Sequence, residues 1–391
     1  PDIDLMFCAG VNHMFFHGTC YSQKDDPWPG WKFYASIDMS PTNSIWRDAP
    51  YFMQYVERCQ SFLQWGEPDN DFLVYLPVRD MWQKQTDKLL MQFSIHKMGQ
   101  LAPEFIEAIL AIDRAGFDCD YISDRLLLTT SFNDGMLQTA AGTRYKGLVI
   151  PECRMMPEKV KVHIEQLKAQ GAHIIIGTRA ADLQKAARPE AIKTECGLKA
   201  IRRKNETGYH YFIANLSPND IHDRLPLSVE FKSATWFNPL NGDIIPAQVS
   251  GDSIDICLRS GESMILQTDH GDRFLIGSET TIKQPVPVIR ALDGPWTLSF
   301  IDEAPKVDRT FQLEKLQTWE TLDDDSVKVT MGTGVYTTHV RLTKAEAKGH
   351  WQIDLGDVRE SARVYINGQF IGCAWSVPFI LDCKTSRSEE R

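Results

Sequence analysis

The longest apolar runs, such as Leu126 to Leu128 and Ile174 to Ile176, fall far short of the ~20 residues needed to cross a bilayer. No membrane insertion is expected. Positive charge is also in deficit: 42 Lys and Arg stand against 52 Asp and Glu, a net charge of −10. Without a chain-wide basic field to hold a phosphate backbone, nucleic acid is not an expected partner. The nine cysteines, at 8, 20, 59, 119, 153, 196, 257, 373 and 383, never form the C-x-x-C pairs of zinc or redox sites. They read as small buried hydrophobes and leave the compartment open. The chain starts Pro1-Asp2-Ile3-Asp4, acidic at once rather than as a basic n-region with an apolar h-region. Either an export signal was removed or none existed. No D-x-D-x-D-G loop is present, and Asp323-Asp324-Asp325 reads as a solvated turn. No cofactor or metal site is predicted, although calcium stays open because carboxylates are plentiful.

What remains is ordinary globular material, 43% apolar and 24% charged over 391 residues, too long for one core and sufficient for two to four domains. Residues 1–66 are unusually aromatic. Asp4 to Val11 reads as a helix end, and Asn12 to Gly18 as a short buried strand. A long loop punctuated by Pro27, Pro29, Gly30 and Pro41 follows, then a helix over 44–65 stopped by Gly66. From Asp71 the pattern alternates: strand 72–76, helix 103–115, strand 147–151, helix 157–170 capped by Gly171, strand 172–177. Strands separated by helices imply parallel β-α-β units in a doubly wound sheet.

Beyond about residue 197 the helical period disappears. Short strands at 209–215, 227–231, 234–237, 253–258 and 263–267, separated by Asn241-Gly242 and Ser250-Gly251, suggest a small antiparallel sandwich. After a linker with Pro285, Pro287 and Gly294 come strands at 296–300, 335–342, 351–355, 362–366 and 369–373. Asn367-Gly368 between the last two is the strongest hairpin signal in the chain.

The run Gly10-Val11-Asn12-His13, with His17-Gly18, Tyr21-Ser22, Pro29-Gly30-Trp31 and Phe33-Tyr34, resembles the last barrel segment of glycoside hydrolase family 106, the α-L-rhamnosidases. The downstream order is similar too, including Tyr365-Ile366-Asn367-Gly368-Gln369 and Trp375-Ser376-Val377-Pro378-Phe379. The resemblance implies a multidomain α/β plus all-β chain. Residues 1–66 would be the remnant of a (β/α)8 barrel, and 67–196 an amidotransferase-like, flavodoxin-like doubly wound α/β domain. Residues 197–284 would be an antiparallel β-sandwich, and 285–391 an incomplete galactose-binding-like jelly roll. A full barrel needs ~250 residues, so most of it has no counterpart here. The family's acid and base lie on earlier strands, and the chain alone is expected to be inactive. Glu57, the only glutamate before Glu67, reads as a solvated helix position beside Arg58.

Sugar recognition falls to Asn12, His13, His17 and Tyr21, with Trp28 and Trp31 as stacking faces. Sugar rings present apolar C–H faces to indoles while their hydroxyls need polar partners. Tyr34 is a weaker candidate, and Asp25 and Asp26 read as solvated loop charges. Cys153, flanked by Glu152 and Arg154 instead of small glycines, lacks the setting of a nucleophile elbow. Asp80 and Trp82 could at most reach towards the barrel. Trp296, Trp351, Tyr365 and Trp375 read as core aromatics. The partner implied is an oligosaccharide or polysaccharide, with a homo-oligomer left open. By the same resemblance the setting is periplasmic or secreted. The competing class is a non-catalytic carbohydrate-binding or oligomerisation module.

Overall fold

In the computed structural model, which describes residues 2–27, 29–35, 39–83, 95–271, 289–301, 305–358 and 360–383, the chain divides into two units. One is Pro1–His13 with Tyr55–Leu275, the other Met14–Gln54 with Ile276–Arg391.

The first unit contains a parallel sheet in the order Cys119–Ile122, Phe72–Tyr75, Gly147–Ile150, Ile174–Ile176. Side chains alternate across a strand, so Phe72 and Val74 enter one core and Leu73 and Tyr75 the other. Both faces therefore need covers. Phe105, Ala108 and Ile112 of helix Pro103–Arg114 close one face, and Val160, Ile164 and Leu167 of helix Glu158–Ala169 close the other. Gly171, at φ +107, takes the left-handed conformation of a helix cap. The expected parallel neighbours are present. The strand Cys119–Ile122, unread in the sequence, adds an edge that gives the flavodoxin-like order.

The same unit holds an antiparallel sandwich. Its larger sheet runs Glu67–Pro68, Lys199–Lys204, Gly208–Ala214, Ser263–Asp269, Ser233–Phe237, Ile244–Pro246, and its smaller sheet Ile221–Pro226, Ser253–Leu258, Val249–Ser250. Tyr211, Ile213 and Leu266 from the first meet Leu225, Ile254 and Ile256 from the second in one core. All seven residues of Ser263–Asp269 are buried, which a sheet covered on one face would not require. The outer face is packed as well. Phe7 of helix Asp2–Cys8 lies edge-on to Phe212 with ring centroids 5.4 Å apart. Tyr55, on helix Ala49–Leu63, donates to Asp4 and shares a 2.6 Å hydrogen bond with Ser263.

In the second unit, Phe311–Leu313, Trp296–Ile301 and Thr333–Thr337 form a three-stranded antiparallel sheet around Leu298, Phe300, Val307 and Val327. Trp351–Asp354 pairs with Ile380–Cys383, and Ala362–Ile366 with Gln369–Ala374. Asn367 and Gly368 take φ values of +51 and +78, the left-handed pair that a two-residue hairpin turn demands. Segment 14–54 packs on this hairpin region. Asp48 accepts from Arg363 and Ser361, and Phe52 meets Trp375 edge-on at 5.4 Å.

Three sequence expectations are corrected. No strand forms over 12–18: the segment takes no regular secondary structure, Phe15 is 85% exposed, and Gly18 sits at φ +58, outside the extended region. The strand placed at 227–231 lies instead at Ile221–Pro226, because the ladder with Ser253–Leu258 ends at Pro226. The strand expected over 335–342 spans Thr333–Thr337, its length set by pairing with Trp296–Ile301.

Candidate functional site

The aromatic loop belongs to the second unit, and its shape comes from backbone contacts. The Gly30 N–H returns to the Pro27 carbonyl at 2.9 Å, and the Trp31 N–H donates to Ser22 Oγ at 2.8 Å. Thr42 Oγ1 donates to the Pro29 carbonyl at 3.0 Å, and Asp26 accepts from the Gln23 N–H at 2.7 Å. Asp26 is thus a turn brace rather than a free loop charge.

These contacts leave the loop's rings largely in solvent. Trp31 is 69% exposed and Tyr21 85%. His17 stacks near-parallel with Phe33 at 6.4 Å between centroids, and Phe33 meets Tyr34 edge-on. Trp28 lies outside the described residues. An exposed indole or phenol can offer a pyranose an apolar face, and an imidazole can offer it a hydrogen-bonding group.

Asn12 and His13 fall in the first unit, and His17, Tyr21 and Trp31 in the second. The strand that would have set the two histidines on one side is not formed. Asn12 faces the end of the long helix: its carbonyl accepts from Gln64 Nε2 at 2.7 Å and its amide lies 3.5 Å from the Leu63 carbonyl. His13 is exposed. Glu57 is exposed on the helix, as read.

In doubly wound sheets the ligand crevice lies beyond the carboxyl ends of the strands where the order reverses. Here that place is between the segments after Tyr75 and Ile150. Asp80 occupies it, its two carboxylate oxygens accepting from the Arg154 and Met155 N–H groups at 2.7 and 2.6 Å. Burial pushes the neighbouring Cys153 thiol up, with Asp80 adding to the effect, away from the thiolate a nucleophile needs. Trp82 is exposed. Asp80 thus braces the segment that follows Ile150.

The C-terminal aromatics are mostly structural, as read. Trp351 Nε1 donates to the Glu346 carbonyl at 2.7 Å, Trp375 packs on Phe52, and Trp296 borders the core; Tyr365 is 55% exposed beside Phe370. The aspartate run departs from its reading as a solvated turn. Asp324 is buried, pairs with Arg309 and caps helix Asp325–Lys328 by accepting from the Ser326 N–H at 2.9 Å. Among the described residues no group of three His, Cys, Asp or Glu could hold a metal ion, and no helix is long and apolar enough to cross a membrane.

The sequence reading missed a buried ionic cluster in the first unit. Arg202 is 2% exposed and donates to Asp69, to Asp71 at 3.1 Å, to Glu190 at 2.6 Å and to Ser228 at 2.7 Å. Lys146 reaches Asp71 at 2.8 Å, and the Tyr211 hydroxyl donates to Glu190 at 2.9 Å. Burial pulls the Arg202 pKa down, but Asp71, Tyr211, Asp69 and Glu190 outweigh it and raise the value, so the guanidinium stays charged. Every carboxylate in the cluster is engaged, so it joins elements rather than offering a site.

Comparison with known proteins adds ancestry to this geometry. The family model of α-L-rhamnosidases, glycoside hydrolase family 106, matches residues 1–190. A Formosa agariphila protein provisionally named a β-glucuronidase is 29% identical over 173 residues, 44% of this chain and 13% of that protein. The solved rhamnosidase of Novosphingobium sp. PP1Y superposes with a TM-score of 0.69 at 19% identity, covering 98% of this chain and 40% of that one. The chain therefore spans less than half the length of either relative. The likeness in sequence to the α-L-rhamnosidases of glycoside hydrolase family 106 thus spans residues 1–190.

Proposed function

We propose that the chain is the C-terminal, sugar-contacting portion of a glycoside hydrolase that removes terminal α-L-rhamnosyl groups from plant-type polysaccharides. The observation that carries the reading is the exposed aromatic loop, lying inside the segment that the family model matches. Trp31, Tyr21 and His17, with Trp28, meet the sugar there. Asn12 and His13, in the other unit, enter the proposal through their own variants. The match in fold to a solved rhamnosidase supports reading the chain as part of such a multidomain α/β and all-β protein. A periplasmic or secreted setting goes with an extracellular polysaccharide and is tested by fractionating the source cells.

Catalysis needs two carboxylates flanking the scissile bond, about 5 to 9.5 Å apart according to stereochemistry. In segment 14–54 Asp26 braces a turn and Asp48 is paired with Arg363, so neither is assigned as acid or base. The 391-residue chain should hydrolyse 4-nitrophenyl α-L-rhamnopyranoside no faster than a buffer blank. Turnover abolished by replacing one carboxylate of the chain would overturn that assignment.

Binding is expected without turnover. Trp31→Ala should weaken affinity for methyl α-L-rhamnopyranoside by roughly 1 to 3 kcal/mol, the range for a lost apolar contact with a substrate. Calorimetric titration measures it, and an unchanged constant would leave Trp31 a surface residue. A parent reading frame without further β-α units upstream would favour a non-catalytic carbohydrate-binding module instead.

A further inference from the structure

We propose that Ser22 is a positioning residue: its hydroxyl fixes the backbone of Trp31 so that the exposed indole stands as a preformed platform for a sugar ring. The proposal rests on the reading of Trp31 as a sugar contact. An indole 69% exposed has little packing to set its direction, so its orientation must be inherited from the backbone beneath it. That backbone is held from two sides. Ser22 Oγ accepts the Trp31 N–H at 2.8 Å, and Thr42 Oγ1, itself 2.9 Å from Ser40 Oγ, donates to the Pro29 carbonyl at 3.0 Å. Gly30, between the two anchors, sits at φ +77, and a Cβ there would lie 2.3 Å from Ser22 Oγ. Only glycine lets the hydroxyl come this close while the chain turns. Eight residues before Gly30 and nine before Trp31, Ser22 serves both.

The functional consequence is preorganisation. A platform already held in its bound geometry loses less conformational freedom when a ring settles on it, and ordering one mobile side chain costs ~0.5 to 1.5 kcal/mol. Removing the hydroxyl should release that cost into the binding constant while hardly touching stability, because water can replace an exposed hydrogen bond.

The test titrates the unaltered chain, Ser22→Ala, Ser22→Thr and Trp31→Ala with methyl α-L-rhamnopyranoside, and records each thermal midpoint. Ser22→Ala should bind about 3- to 10-fold more weakly with an unmoved midpoint, and Ser22→Thr, which keeps the hydroxyl, should restore the parent affinity. A binding loss in Ser22→Ala that threonine does not rescue, or that comes with a fallen midpoint, would assign the residue to loop folding and overturn the proposal. If Trp31→Ala binds weakly while Ser22→Ala matches the parent, positioning by Ser22 is refuted and the sugar contact stands. If Trp31→Ala matches the parent, the sugar contact fails and the proposal falls with it. Should Trp31→Ala not fold, Trp31→Gln, which removes the flat ring but keeps side-chain bulk, takes its place under the same outcomes.

Discussion

Replacing Arg202 by methionine should destabilise the first unit by about 3 to 5 kcal/mol, the cost of removing one partner from a buried ion cluster. The guanidinium is the hub: it donates to Asp71, Glu190 and Ser228 and to both the side chain and the carbonyl of Asp69. Methionine fills part of the volume but donates nothing. Asp71 would retain Lys146, and Glu190 would retain Tyr211 and Ser228, yet both carboxylates would stay buried with less compensation. Urea unfolding followed by tryptophan fluorescence measures the change. A loss below about 1 kcal/mol, the usual worth of an exposed ion pair, would show that the cluster is dispensable. The cluster joins the α/β segment, through Asp69, Asp71 and Glu190, to the sandwich, through Arg202, Tyr211 and Ser228. The same variant should therefore raise proteolytic cleavage between the two.

Acidification from pH 6.5 to 4 should remove on the order of 3 kcal/mol from the same unit through one histidine. His210 Nε2 donates to the Phe62 carbonyl at 2.7 Å, and Nδ1 accepts from Asn205 Nδ2 at 2.9 Å. The amide cannot turn over, because its Oδ1 already accepts from the Thr207 N–H, the Thr207 hydroxyl and the Gly208 N–H. A proton on Nδ1 would therefore face a donor. Burial pushes the imidazole down from 6.5 to about 4; the Phe62 carbonyl and Glu206 favour the charged ring, and Arg203 opposes it. Below pH 6.5 the unfolded chain takes up a proton that the folded chain refuses, so stability falls with pH until the folded imidazole titrates near 4. His210→Gln, which can donate and accept in the same two directions, should flatten that slope. Thermal midpoints at half-unit pH steps read it, and parallel curves for the two proteins would contradict the assignment.

The parallel strands were legible because a strand buried on both faces must be a nearly continuous apolar run, as Phe72–Tyr75 and Gly147–Ile150 are. The hairpin at Asn367-Gly368 was legible because its backbone angles admit few residues. Strand Lys199–Lys204 was not, since four of its six residues are cationic and nothing local reveals that Arg202 is buried. Its partners Asp69 and Asp71 lie 133 and 131 residues away. The helices covering the outer face of the sandwich were read as helices, but their packing there was not, because the apolar content of Gly208–Ala214 does not say what buries it. For the site, proline and tryptophan content marked the loop correctly as a loop. The expected strand at 12–18 failed because a short apolar run does not by itself report burial, and Phe15 stands 85% exposed.

The central claim is that the exposed aromatic loop meets an α-L-rhamnosyl ring. A crystal structure of the chain with an α-L-rhamnosyl disaccharide tests it most directly. The account predicts density for the ring stacked on the Trp31 indole, with sugar hydroxyls within hydrogen-bonding distance of His17 or Tyr21. A disaccharide seated elsewhere on the chain at saturating concentration, with the Trp31 face bare, would contradict it.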